Sequence, residues 1–363
     1  MIDQSFWQGK RVMITGHTGF KGTWLTIWLS SLGAEVIGYS DAAPSKPSMF
    51  EVTCASALCT PIQGDLLQYE RLLNTMQKYQ PEIVFHLAAQ PIVQTSYQDP
   101  IGTYRANVLG TVHVLEAVRY TPSVRIIVNV TSDKCYANDG LGSYAFSEQD
   151  RLGGHDPYSA SKACTEIVTT SYQQSFFNGQ KGNDQRLASV RAGNVIGGGD
   201  WAEGRLVPDI VRSYEQGSPL IIRNPKAIRP WQHVLDPLHG YVGLAEKLWE
   251  DASYAEAWNF GPMQEPTHTV HHVIERMMTL WGEKLTIVTD SVQAPYEAPI
   301  LRLDSSKAVS KLDWYPKLST QEALEWTVQW YQHYAAGGQM LTFTLTQIHT
   351  FMTKVRGAHG NVT

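Results

Sequence analysis

Five residues carry side chains from which a proton-transfer site would be built. Ser132, Asp133 and Lys134 come within a few residues of Ile126-Ile127-Val128-Asn129-Val130, after Thr131. That run is apolar and β-branched, the kind that forms a strand buried on both faces. A hydroxyl, a carboxylate and an amine therefore emerge at the carboxyl end of a strand, where open parallel α/β sheets place their ligand crevice. Tyr158 and Lys162 are four apart in a helix-like segment, so they share one face about a turn from each other. An ammonium beside a phenol favours the phenolate, lowering a pKa that starts near ~10 toward the range where it accepts a proton from a hydroxyl. Tyr-x-x-x-Lys also arises by chance in amphipathic helices, so the reading depends on the elements that hold the pair.

Those elements alternate regularly. Arg11-Val12-Met13-Ile14-Thr15 predicts a first buried strand running into Gly16-His17-Thr18-Gly19-Phe20-Lys21-Gly22. A helix follows, with Trp24, Leu25, Trp28, Leu29 and Leu32 on one stripe and Gly33 as its stop. Strand, glycine loop and helix let backbone N–H groups approach a pyrophosphate at the helix N-terminus. A dinucleotide is expected on Gly16, Thr18, Gly19, Phe20 and Gly22, with a plain tight turn as the alternative. A second strand, Glu35 to Tyr39, ends near Asp41, suited to the ribose 2′-hydroxyl of NAD, while the nearby Lys46 leaves NADP open. Pro61 to Leu66 predicts a third strand ending in Asp65 and Leu66; Asp65 suits the adenine amine or, alternatively, caps the turn. A helix over Leu67 to Tyr79 leads to the strand Ile83 to His86 and then to Ala88, Ala89 and Gln90, where small side chains admit a cofactor close to the backbone. His86 reads as a core histidine. A long helix is expected over Pro100 to Arg119, with Asn107 and Thr111 on its polar face and Asn107 toward substrate. Leu187 to Arg191 adds another strand. This alternation implies a doubly wound parallel α/β (Rossmann) sheet.

From Ala192 onward the pattern changes. Gly193 to Trp201 is glycine-rich without the earlier strand-to-helix setting and is expected to be a mobile wall of a substrate cleft that includes Asn194. Arg205, Arg223 and Arg229 follow, mixed with Trp201 and Trp231. Arginine forks beside aromatics suit a nucleotide diphosphate, with surface ion pairs as the alternative for any one of them. Trp258 to Gly261 predicts a strand that returns to the first sheet. The expected division is a cofactor domain over 1–190 with a return segment near 230–261, a smaller α/β carboxyl-terminal substrate domain over 191–356, and a frayed tail over 357–363.

Composition sets the outer bounds. The chain has 363 residues, is 43% apolar and 17% charged, and carries 11 Trp and 17 Tyr. The charged share lies below the roughly 25% usual for soluble domains, and amphipathic rings in such number suit pockets and subunit contacts. A formal net charge of -5 gives no electrostatic case for nucleic acid, and no basic run suggests a membrane surface. Cys54, Cys59, Cys135 and Cys164 form no Cys-x-x-Cys pair, so free thiols are expected and a metal site is not. The first ten residues lack a signal-length apolar core, and no stretch approaches eighteen consecutive apolar residues. A reducing, cytoplasmic setting is therefore expected.

Taken together, the glycine loop, His86-Leu87-Ala88-Ala89-Gln90-Pro91, Thr131-Ser132-Asp133-Lys134-Cys135-Tyr136, Tyr158-Ser159-Ala160-Ser161-Lys162, Arg191 to Trp201 and Arg229-Pro230-Trp231-Gln232-His233-Val234 resemble the extended short-chain dehydrogenase/reductase family. Within it they are most similar to the sugar-nucleotide 4,6-dehydratases of the CDP-glucose branch. The resemblance implies NAD as cofactor, Ser132 orienting the sugar O4, Tyr158 as its base, and Lys162 tuning Tyr158 and holding the nicotinamide ribose. It implies Asp133 as the acid at the C6 hydroxyl. Lys134 stands where relatives acting on dTDP-glucose carry a glutamate base for C5. It is expected either to act as that base, which requires a pKa lowered toward neutrality by neighbouring positive charge, or to stay charged and stabilise the enolate. His17 and Lys21 depart from the small or apolar residues many relatives carry. The implied product is a CDP-4-keto-6-deoxy sugar used for bacterial surface polysaccharide. The implied assembly is a homodimer or homotetramer pairing through Pro100 to Arg119 and Asp156 to Phe176. The rival readings are a sugar-nucleotide epimerase or decarboxylase, or a dehydratase of a dTDP, UDP or GDP sugar, and, from another class, a non-catalytic NAD-sensing scaffold.

Overall fold

A computed structural model describes residues 2–140, 144–177, 184–263, 268–289, 298 and 300–359. A one-turn helix α1 (Gln4–Trp7) leads into β1 (Arg11–Thr15), α2 (Phe20–Ser31) and β2 (Glu35–Ser40). The short α3 (Met49–Val52) precedes β3 (Thr60–Gln63), α4 (Tyr69–Tyr79) and β4 (Ile83–His86). Next come α5 (Val93–Gln98), α6 (Pro100–Tyr104), α7 (Gly110–Arg119), β5 (Ile126–Val130), α8 (Pro157–Ser175) and β6 (Arg186–Ala192). The strands lie in the order β3-β2-β1-β4-β5-β6 with a seventh beyond, β10 (Ala257–Phe260), and every pairing is parallel. The doubly wound sheet read from the alternation, and the return strand at Trp258, are thus present.

Register places the chemistry. Thr15 pairs with Tyr39 on one side and His86 on the other, and His86 pairs with Asn129. The turns after β1, β4 and β5 therefore leave the sheet at one level, on either side of the β1/β4 junction where the strand order reverses, which is the crevice of such sheets. Residues Ile83 to His86 and Ile126 to Val130 are fully buried, as their unbroken apolar runs demand.

The second half adds β7 (Asn194–Ile196), α9 (Leu206–Gln216), β8 (Leu220–Ile222), β9 (Trp231–His233), α10 (Leu235–Glu250), α11 (Val270–Trp281), β11 (Ile287–Thr289), α12 (Ser306–Leu312), α13 (Thr320–Ala335) and α14 (Met340–His359). β7 pairs with β9 and β8 with β11, both parallel. Three expectations are corrected here. Gly193 to Trp201 does border the cavity, but not as plain loop: Asn194–Ile196 form β7, and Gly198 lies so close to Trp330 that a Cβ there would stand 1.9 Å from the ring. The segment Pro100 to Arg119 is helical throughout, as expected, but not uniformly α: a π-helical turn spans Arg105–Leu109. Thr111 Oγ1 donates to the Asn107 carbonyl at 2.6 Å, and Thr165 Oγ1 reaches the same carbonyl at 3.3 Å. The third correction is α14, which the sequence reading did not foresee. It runs through 357–359 of the expected tail, and 360–363 lie outside the described residues.

Candidate active site

A cavity of about 680 Å³ opens at the carboxyl edge of the sheet. One end is the glycine turn. Gly16 adopts φ +77°, and a Cβ on it would stand 2.7 Å from the Ala88 nitrogen; a Cβ on Gly22 would stand 2.1 Å from the Gly16 carbonyl oxygen. Only hydrogen fits at either position, so the turn closes against Ala88 and presents the N-terminus of α2, capped by Gly19, to the cavity. Thr18, Phe20, Asp41, Asp65, Leu66, Ala88, Ala89 and Gln90 line the same end. This narrow cradle with its free helix N-terminus fits the pyrophosphate of a dinucleotide. Asp65 caps the turn, its carboxylate accepting from Leu67 N at 2.9 Å, and it also borders the cavity. Asp41 lines the wall and is exposed, whereas the exposed Lys46 does not line it.

At the centre, Ser132 Oγ donates to Asp133 Oδ1 at 3.0 Å and accepts from Lys134 N at 3.2 Å, closing a single 3-10 turn over Asp133–Cys135. Tyr158 and Lys162, on α8, face the same space. Burial pushes the Asp133 carboxyl up to about 6 against the opposing pull of Lys134, the Ser132 hydroxyl, Arg229 and Lys21. Burial likewise takes Lys162 down to about 8, with Glu166 pulling the other way. The expected lowering of Tyr158 by Lys162 is not what this cavity produces. Burial raises Tyr158 to about 12, opposed by the Ser132 hydroxyl and Arg205, while the Lys162 ammonium donates to the Val130 carbonyl at 3.4 Å. Desolvation of the phenolate outweighs nearby positive charge.

At the far end stand Asn194, Arg205, Arg223, Arg229 and Trp231. Arg205 Nη1 pairs with Asp200 at 2.9 Å, and Arg223 Nη1 reaches Gln94 Oε1 at 3.3 Å. Arg229 is buried, and its Nη1 donates to the Ile228 carbonyl at 2.9 Å. Two residues expected here are elsewhere. Trp201 packs edge-on against Trp330, Tyr331 and Tyr334 and is core. Asn107 does not line the cavity: it lies behind the wall, where Oδ1 accepts from Gln90 N at 2.8 Å and Nδ2 donates to Ser161 Oγ at 2.8 Å. His86 is core, with Nδ1 2.7 Å from Thr15 Oγ1 and Nε2 3.0 Å from Thr111 Oγ1. Lys21, named only as a departure from relatives, lines the cavity, whereas His17 does not. Among the described residues no group of three His, Cys, Asp or Glu side chains could hold a metal, and no helix is long and apolar enough to cross a membrane.

Residues 13–327 match the model of the GDP-mannose 4,6 dehydratase family. The chain belongs to that family. A CDP-glucose 4,6-dehydratase of Salmonella typhimurium is 48% identical to it, over 97% of this chain and 99% of the relative. A dTDP-glucose 4,6-dehydratase of Haemophilus influenzae is 24% identical over 88% of this chain and 97% of its own. Among solved structures, the dTDP-glucose 4,6-dehydratase of Streptomyces venezuelae with NAD bound superposes with a TM-score of 0.76 at 21% identity, covering 91% of this chain and 99% of that one. A UDP-glucose-4-epimerase of Stenotrophomonas maltophila with bound NAD gives 0.78 at 20% identity, covering 91% and 100%. These two likenesses show that the family fold is shared by dehydratases and epimerases, so the reaction has to be argued from the site.

Proposed function

We propose that this family member converts CDP-D-glucose to CDP-4-keto-6-deoxy-D-glucose with NAD as a catalytic cofactor. The observation that carries the reading is Asp133: a buried carboxyl with its pKa pushed up to about 6, hydrogen-bonded to Ser132, in one cavity with Tyr158 and Lys162. A carboxylic acid raised toward neutrality is suited to protonating a leaving hydroxyl, and an epimerase has no use for it. The 48% identical relative named for CDP-glucose supports the same reaction.

Bound along the glycine turn, NAD supplies an acceptor for the C4 hydride and a donor for its return to C6. Ser132 holds the sugar O4, and Tyr158 takes the O4 proton once the positive charge that a bound NAD+ would bring offsets the burial that raises its phenol to about 12. Lys162, with its pKa near 8, is mostly protonated at neutral pH and holds the nicotinamide ribose. The 4-ketone then acidifies C5; Lys134 serves that carbon either as the base that removes and later restores its proton or as a cation that stabilises the enolate, and Asp133 protonates the departing C6 hydroxyl. Arg205, Arg223 and Arg229 bind the diphosphate by charge-assisted forks, with Asn194 beside them. We assign the cofactor to 1–190 with the return segment near 230–261, and the nucleotide sugar mainly to 191–356. With Cys54 exposed and unpaired, a reducing cytoplasm is the setting in which this chain keeps its thiols.

Purified protein given CDP-glucose and no added oxidant is expected to release a product lighter by one water. An isomer of unchanged mass would establish an epimerase instead. A higher kcat/KM for dTDP- or UDP-glucose than for CDP-glucose would overturn the nucleotide assignment.

A further inference from the structure

Below the catalytic turn, buried polar groups from four elements meet on one ion pair. Glu166 sits one helical turn beyond Lys162 on α8 and is 2% exposed. Its carboxylate accepts from Arg191 Nε at 2.9 Å and Nη2 at 2.8 Å, from Ser189 Oγ at 2.7 Å, and from Thr131 Oγ1. Arg191, on β6, uses Nη1 to donate to the Tyr136 hydroxyl at 2.7 Å, and that hydroxyl donates to Asn259 Oδ1 on β10, also at 2.7 Å. Burial alone would raise Glu166, but the Arg191 fork and the two hydroxyls overcome it and hold its pKa below the ordinary value. The pair is therefore ionised and fully hydrogen-bonded.

The arrangement has a shape. Thr131 immediately precedes Ser132, and Tyr136 is the second residue after Lys134. Both ends of the catalytic turn are tied to the same fork, and the fork is anchored on the helix that carries Tyr158 and Lys162. The backbone adds its own ties, Thr131 N to the Val190 carbonyl at 2.9 Å and Gly153 N to the Cys135 carbonyl at 2.9 Å. A buried ion pair adds little net stability over apolar packing, whereas a displacement of about 1 Å at reacting groups costs on the order of a hundredfold in rate.

Building on the proposed dehydration, we propose that Arg191 and Glu166 are positioning residues that index the two halves of the active centre: the Thr131 tether sets Ser132 against Tyr158 for C4 oxidation, and the Tyr136 tether sets Asp133 and Lys134 for loss of water. The two tethers act on different steps.

Tyr136→Phe keeps the ring stacked on Phe146 and removes only the hydroxyl; Thr131→Val removes only the other tether. With CDP-glucose in single turnover, Tyr136→Phe is expected to leave C4 oxidation within about twofold while slowing C5 exchange and water loss about tenfold or more, so that the 4-keto-glucose nucleotide accumulates. Thr131→Val is expected to make hydride transfer limiting, with a larger isotope effect for C4-deuterated substrate and no accumulated ketone. The same step slowed in both variants, or both steps at wild-type rates, overturns the proposal. A second readout does not depend on the substrate. Arg191→Lys keeps the charge but loses the fork, and is expected to speed amide hydrogen exchange over 131–136 while leaving the middle of β5 and β6 protected. Wild-type protection over 131–136 in that variant also overturns the clamp, whereas an inactive wild type with intact protection defeats only the reaction assignment.

Discussion

His17 and Lys21 share one glycine turn and differ in where they point. His17 is buried against β2, with Nδ1 2.8 Å from Ser40 Oγ and its ring edge-on to Phe50, and burial holds its pKa to about 4. It is a neutral packing residue at any physiological pH. Lys21 faces the cavity, and burial, reinforced by Arg205 and Lys162 and opposed by Asp133 and Asp200, takes its ammonium down to about 7. Below that value Lys21 is cationic and repels a cationic nicotinamide; above it the repulsion is gone. Lys21 also sits in the turn that cradles the pyrophosphate, an attraction common to both redox forms, so its charge is read in the ratio of the two affinities: the preference for NAD+ over NADH is expected to rise as pH goes from 6 to 8. Lys21→Met is expected to raise that preference about tenfold at pH 6, like charges in such a site being worth at least that, and to flatten its pH dependence. Calorimetric titration of both nucleotides checks this. The sequence made the meeting of five residues in one cavity legible, because Ser132, Asp133 and Lys134 follow the end of a strand and Tyr158 and Lys162 share a helix face. It did not reveal the protonation states, since those depend on how deeply the finished cavity buries each group.

Strands and helices were legible wherever burial is continuous. The runs at Val12, Ile83 and Ile126 lie at the centre of the sheet, and a centre strand has to be apolar on both faces. The π turn inside the Pro100 to Arg119 helix was not legible, because what its Asn107 turns toward, Gln90 and Ser161, lies on other elements. That π turn swings Asn107 inward, where its amide bridges Gln90 below the cofactor wall and Ser161 on the catalytic helix. Replacing Asn107 by Leu removes the acceptor of the part-buried Gln90 N–H and the donor to the buried Ser161 hydroxyl, a cost of about 1–3 kcal/mol. Denaturant unfolding is expected to show a loss in that range. The place of Trp201 was not legible either: in sequence it lies among the arginines of the cleft, and only α13, which brings Trp330, Tyr331 and Tyr334 against it, makes it core.

On the scale of the whole molecule, the helices of one flank carry apolar side chains that the chain itself leaves uncovered. Ile101 is 72% exposed on α6, Leu109 43% in the π turn and Ile167 58% on α8, with Tyr97 and Tyr104 beside them. α5, α6 and α8 pack together, so these residues lie on neighbouring helices. We propose that a second copy of the chain covers this flank, helix against helix, as the pairing through Pro100 to Arg119 and Asp156 to Phe176 implied. Ile101→Asp combined with Ile167→Asp is expected to give a monomer by light scattering where the parent is a dimer or larger; an unchanged mass would place the contact elsewhere.

α2 begins at the cofactor turn and is wrapped in apolar neighbours on all sides: Trp24, Leu25, Ile27 and Trp28 are fully buried. One of those sides is closed by α14, where Phe351 meets Trp28 edge-on at 5.8 Å. The early helix α2 is thus completed only by a segment from a distant part of the sequence. Until that segment docks, the tryptophan face behind the nucleotide turn stays wet even if the turn itself has formed. The stretch around Trp24 and Trp28 is therefore the one a chaperone would find uncovered while α14 is still undocked.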